Sequence, residues 1–215
     1  MLANLSVINL LHTKINSKLF FVVSILGFFL SIIVGTISHE FGHIIVAKLL
    51  GYKTILHYDS MNWTKNGQDM EESAPIIHRI LVNIGGVLTT VFIGTISFIY
   101  INKLQARNTL AYFCALFFCL FWMRPIVNFG FGVMNYILQN GNLFGGDELQ
   151  LSLLLNLPAG FFSILFAILA AFVCGYTFFF IVPNSQKIQF ILAGCIGGIG
   201  GYIIWFIFLG KILLP

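Results

Sequence analysis

His39, Glu40 and His43 lie in the stretch SHEFGHIIVA, residues 38–47, inside an otherwise apolar run over residues 19–50. Together they form the pattern H-E-x-x-H. On a helix, residues four apart sit one turn along the same face, so both imidazoles can reach a single ion at about 2.0 to 2.1 Å. Glu40 is turned about 100 degrees from His39, which sets it beside such an ion without making it a ligand. From there it can serve as general base in metal-assisted hydrolysis. With 5 His in 215 residues, a chance match is expected in roughly one such sequence in several hundred. Ionisable groups in a membrane-length apolar run are costly, and they normally pair, ligate or line a polar cavity. Pattern and setting together predict a metal site.

Catalytic zinc takes three protein ligands and keeps one position open for water. The candidates for the third ligand are His12, His57, Asp59, Asp69, Glu71, Glu72, His78, Asp147 and Glu148. His57 and the acids of residues 59–72 belong to a polar loop, which holds a ligand loosely. His12 and His78 fall at span edges and read as interfacial. Asp147 follows Gly145 and Gly146 and precedes the apolar LQLSLLLNLP, so a glycine turn there returns the chain to the membrane. It is the favoured third ligand, with a helix N-cap as its alternative role. Glu148 competes with it, because nothing in the sequence orients one carboxylate rather than the other. Arg124, before Pro125, reads as snorkelling to the headgroups, with neutralisation of a nearby carboxylate as the other option.

The elements that must position these residues are membrane helices. The chain is 59% hydrophobic and 8% charged, has 24 Phe, and shows a mean hydropathy of +0.96. That is the composition of an integral, multi-pass membrane protein, expected in the cell membrane, and not of a soluble domain. The formal charge of +4 is scattered in ones and twos at the ends of apolar runs. Such a pattern anchors helices at a lipid bilayer and argues against a nucleic-acid surface. The four cysteines lie in apolar runs with no C-x-x-C pair and read as packing residues. The opening MLANLSVINLLHTKINSK resembles a signal anchor, and it is read as retained because no small-residue cleavage site follows a short apolar core.

Runs long enough to span cover residues 19–50, 80–101, 109–127, 159–182 and 188–209, the third interrupted near its end by Arg124 and Pro125. A half-span around 149–157 would make a sixth. The expected fold is therefore an all-α polytopic membrane protein of five to six transmembrane helices. It forms a single domain over residues 1–215, with a polar loop at 51–78 and a third-ligand segment at 135–158. Within the loop, TILHY and MNW read either as a small membrane-associated β-hairpin or as an irregular interfacial loop. A single helix over 19–50 is about 48 Å long against a hydrocarbon core of about 30 Å, so the motif falls toward the far side of the bilayer from Leu19. Two full spans separate the end of this helix from Asp147, which puts both on one face in either orientation. The balance of Lys and Arg leaves the orientation open. Small residues in LVNIGG and GCIGGIGGY predict close helix packing. There is no inverted repeat and almost no ionisable residue elsewhere in the spans, which argues against a transporter.

At these residues the chain resembles the site-2 protease family of intramembrane zinc metallopeptidases. SHEFGHIIVAKLLGYK looks like that family's H-E-x-x-H helix, including the small residue between Phe41 and His43 and the glycine soon after. LVNIGGVLTTV is similar to its glycine-containing second conserved helix, with Gly86 where a proline is common. GGDE resembles the distal aspartate motif, whose usual Asn-Pro and Asp-Gly elements appear here only as NGNLFGGDE. The motifs extend over about the first three quarters of the chain. The resemblance implies a compact zinc metalloprotease with Glu40 as catalytic base and with His39, His43 and Asp147 on Zn2+. It further implies a membrane-protein substrate, cleaved in a transmembrane helix that unwinds locally. Asn83, Asn128, Asn135, Asn140 and Asn142 are candidate partners for the backbone of the unwound strand. The reading from another class is a catalytically inactive membrane binding protein or metal carrier that keeps the fold and the ion.

Overall fold

The computed structural model describes residues 16–103, 109–139 and 143–215. His12, Asn140 and Asn142 lie outside the described residues. The long apolar run forms helix α1, Ser17–Leu49, opened by the Asn16 side chain, which accepts a hydrogen bond from the Lys18 N–H. It ends where Gly51 takes φ +84, a left-handed conformation that lets the Gly51 and Tyr52 N–H groups close onto the Lys48 and Ala47 carbonyls.

The polar loop folds into an antiparallel sheet of β1 (Lys53–Leu56), β2 (Met61–Lys65) and β3 (Gln68–Asp69), in that order. Thr54 pairs with Trp63 and Leu56 with Met61, so the hairpin reading of this loop describes the molecule better than the irregular one. The sequence reading omitted β3. It joins β2 through Asn66 and Gly67, whose φ values of +54 and +82 suit the tight turn that matches strand twist.

The helices that follow are α2 (Ile76–Lys103), α3 (Thr109–Cys119), α4 (Met123–Gln139), the short α5 (Gly146–Leu154), α6 (Phe161–Tyr176), α7 (Lys187–Tyr202) and α8 (Gly210–Leu213). Among the described residues, five helical stretches are long and apolar enough to cross a membrane: Ser17–Leu49, Ile76–Lys103, Leu110–Leu138, Phe161–Ile181 and Asn184–Leu213. The third differs from expectation. It continues past Arg124 and Pro125, because a 3-10 turn at Leu120–Trp122 shifts the register and leaves Pro125 in the first turn of α4. There the missing N–H has little to lose.

Helix α1 packs along α2 on one side and α7 on the other. Its N-terminal half is held by aromatic packing, with Phe20 and Phe28 against Phe113, Phe117 and Phe190. Gly197 and Gly201 let α7 lie against the α1 backbone at Ile25 and Phe29. At the motif the approach is closer still. A Cβ on Gly42 would run into the Gly85 carbonyl, and one on Gly85 into the Gly42 carbonyl, so neither position has room for a side chain. The sheet covers this end, with Trp63 packed on Ala47, Tyr52 and Val82 and the Tyr52 hydroxyl 2.6 Å from His78 Nδ1.

Gly85→Val should therefore destabilise the protein by about 1–3 kcal/mol through overpacking, read as a lower thermal unfolding midpoint in detergent. Gly198→Ala, where a Cβ meets nothing within 4 Å, should leave the midpoint unchanged. Equal midpoints for the two variants would contradict the close helix crossing.

Candidate metal centre

His39 and His43 leave one face of α1 a turn apart, and both rings are buried. Each is oriented by α2 through its Nδ1. His43 Nδ1 donates to the Val82 carbonyl at 2.7 Å, and His39 Nδ1 lies 3.0 Å from the Thr90 hydroxyl. That hydroxyl donates to the Gly86 carbonyl, which leaves its oxygen to accept from His39. Gly86 itself lies under the His43 ring, where any Cβ would displace the imidazole. With the Nδ1 protons committed in this way, the lone pairs of both neutral imidazoles are at Nε2.

The two Nε2 atoms are 3.1 Å apart, and the third corner of the triangle is Asp147 Oδ2, 2.6 Å from His39 Nε2 and 3.4 Å from His43 Nε2. Three acceptors at these separations have no proton of their own to share. A divalent cation would satisfy all three at once. Ligands about 2.0–2.1 Å from a tetrahedral ion stand about 3.3 Å from one another, close to two of the three edges. The donor set of two imidazoles and a carboxylate thus fits a divalent ion, and His39, His43 and Asp147 could hold one.

Asp147 reaches the histidines from the first turn of α5, after Gly146 has taken φ +71. Its side chain keeps 26% exposure, whereas Glu148 is buried and stands outside the three-residue group. Glu148 lies by the amide of Asn128 and lines a small cavity with His39, Thr90, Trp122 and Arg124. Burial, with the neighbouring Asp147 charge added, raises the Glu148 carboxyl above its ordinary value, against the opposing pull of Arg124 and Asn128. Glu40 is 5% exposed and outside the triangle, within electrostatic range of His43, Arg124 and Asp147. Its carboxylate makes no hydrogen bond among the described residues.

Other sequence candidates are placed elsewhere. His57 is bonded to the Pro215 carbonyl and Asn62, and the Asp69 side chain accepts from the Glu71 N–H. Asn83 donates one hydrogen bond to the Arg79 carbonyl of its own helix, and Asn135 is exposed. Arg124 is half-buried at the start of α4, where its Nε is enclosed and it lines a cavity with His39 and Glu148. Sequence reasoning missed the orienting roles of Thr90 and the Val82 carbonyl. Only their positions in α2, four residues either side of Gly86, hint at them.

Compared with known proteins, the chain matches no protein-family model, no curated protein and no solved structure.

Asp147→Ala should abolish stoichiometric binding of a divalent ion to the purified protein, while Glu148→Ala retains it. The reverse pattern would transfer the third ligand to Glu148.

Proposed function

We propose that this protein is a zinc metalloendopeptidase of the site-2 protease kind, hydrolysing peptide bonds in or near transmembrane segments of membrane proteins. The observation that carries the reading is the convergence of His39 Nε2, His43 Nε2 and Asp147 Oδ2 at one point, beside Glu40 in an H-E-x-x-H helix. Two imidazoles and one carboxylate with room for water are the donor set of catalytic zinc, which supplies Lewis-acid polarisation of a carbonyl and of water.

The chain's own residues supply the rest. The Thr90 hydroxyl and the Val82 carbonyl fix both imidazoles, so the ligand atoms need no rearrangement. Glu40, unbonded and largely enclosed, takes a proton from the attacking water as its oxygen adds to the scissile carbonyl carbon. It then delivers that proton to the amide nitrogen as the C–N bond breaks. Placement on helices long and apolar enough to span a membrane restricts the substrate to polypeptide that can enter from the bilayer or its edge.

With zinc-loaded protein and reporter transmembrane helices, Glu40→Gln should keep its zinc and lose about 10²- to 10⁴-fold in cleavage rate. Cleavage by Glu40→Gln at the wild-type rate would remove the catalytic assignment. A wild-type protein that binds zinc and cleaves no reporter would favour the binding-protein or metal-carrier reading.

A further inference from the structure

The acids of the chain are confined to residues 40–72 and 147–148, and the fold gathers these at one end of the helices. Glu40, Asp147 and Glu148 stand at or beside the metal centre, and the sheet segment that carries Asp59, Asp69, Glu71 and Glu72 packs over the same end. Lys48, Lys53, Lys65 and Arg79 are interspersed with them, so the charges there nearly balance.

The opposite end is different. Lys18 opens α1, Lys103 closes α2 and Lys187 opens α7. The three helix ends meet in one apolar cluster through Phe20, Ile101 and Phe190, and Gln189 of α7 donates to the Ser17 hydroxyl of α1. Along α1, at 1.5 Å per residue, about 32 Å separates Lys18 from His39. No Asp or Glu occurs in residues 1–39, 73–146 or 149–215, so these lysines have no carboxylate side chain at their own end to pair with. Lys18 and Lys103 are exposed and make no ion pair among the described residues. Lys187 donates to the Phe179 carbonyl at 3.1 Å and lies over the Phe178 and Phe179 rings. Lys14 and Arg107, which add two further positive charges in the adjoining sequence, lie outside the described residues.

Exposed apolar side chains stand beside each lysine: Leu19 and Val22 on α1, Ile99 and Tyr100 on α2, Ile188 and Ile191 on α7. A ligand that meets both kinds of surface joins an anionic group to a hydrocarbon tail. A soluble phosphate would answer the ammonium groups and leave the apolar residues in water. We propose that this end of the helices is a binding surface for anionic phospholipid, with headgroup phosphate at Lys18, Lys103 and Lys187 and acyl chains along the adjoining faces of α1, α2 and α7. The nearly balanced end that carries the metal centre has no such preference. The inference is independent of the metal and of peptide hydrolysis.

Native mass spectrometry of the full chain in detergent, titrated with phosphatidylglycerol or with phosphatidylcholine of the same acyl chains, tests it. The wild type should bind phosphatidylglycerol in preference. Each lysine near the headgroup is worth about fivefold in affinity, so Lys18→Gln/Lys103→Gln should bind phosphatidylglycerol about 25-fold more weakly and phosphatidylcholine as before. Lys18→Gln alone should lose about fivefold, an arm that stands if the double variant does not fold. Lys48→Gln/Lys53→Gln removes the same charge from the other end and should keep the wild-type preference. Equal affinity of the wild type for the two lipids, or unchanged affinity in the Lys18 variants, would overturn the proposal. So would an equal loss in both double variants, which would reduce the effect to net charge, or displacement of the lipid by an equal concentration of glycerol 3-phosphate, which would make this a site for soluble phosphate.

Discussion

Where α1 crosses α2, the two backbones meet with no side chain between Gly42 and Gly85. That contact sets the depth at which the histidines meet α2. It brings the Val82 carbonyl within 2.7 Å of His43 Nδ1 and the Thr90 hydroxyl within 3.0 Å of His39 Nδ1. In lipid there is little hydrophobic force to press helices together, so small residues and interhelical hydrogen bonds carry much of the association. Here the same few residues hold the helices and aim the imidazoles. A bulkier residue at Gly42, Gly85 or Gly86 would disturb both at once.

Electrostatics impose the second constraint. Two histidines and three acids in a largely apolar setting are tolerable only as a compensated group, since an uncompensated buried charge costs several kcal/mol. The arrangement answers this with elements distant in sequence. Asp147 arrives on a short helix after a left-handed glycine, and Arg124 arrives at the start of α4. Ligand geometry and a free glutamate are therefore consequences of one packing arrangement, and the proposed chemistry draws on both.

How much of this the sequence disclosed depended on the range of the interaction. His39, Glu40 and His43 were legible because a four-residue spacing is local helix geometry. The five long helices were legible from apolar length. Asp147 lies 108 residues from His39, and its place on the same face followed only from counting spans. Which of Asp147 and Glu148 points to the histidines depends on the rotation of the first turn of α5, which composition does not encode. The cavity that Arg124 shares with His39 was not legible for a similar reason, because it depends on the 3-10 turn ahead of α4. The turn into β3 is local by contrast, since Asn66-Gly67 is a strong hairpin signal.

If two imidazole nitrogens and one carboxylate oxygen share a zinc ion, X-ray absorption at the zinc edge of the purified protein reads that ligand shell directly. The predicted result is about one zinc per chain with a ligand shell of nitrogen and oxygen alone at about 2.0–2.2 Å and the outer scattering pattern of two imidazoles. Sulfur scattering at about 2.3 Å, or a shell without imidazole, would contradict it.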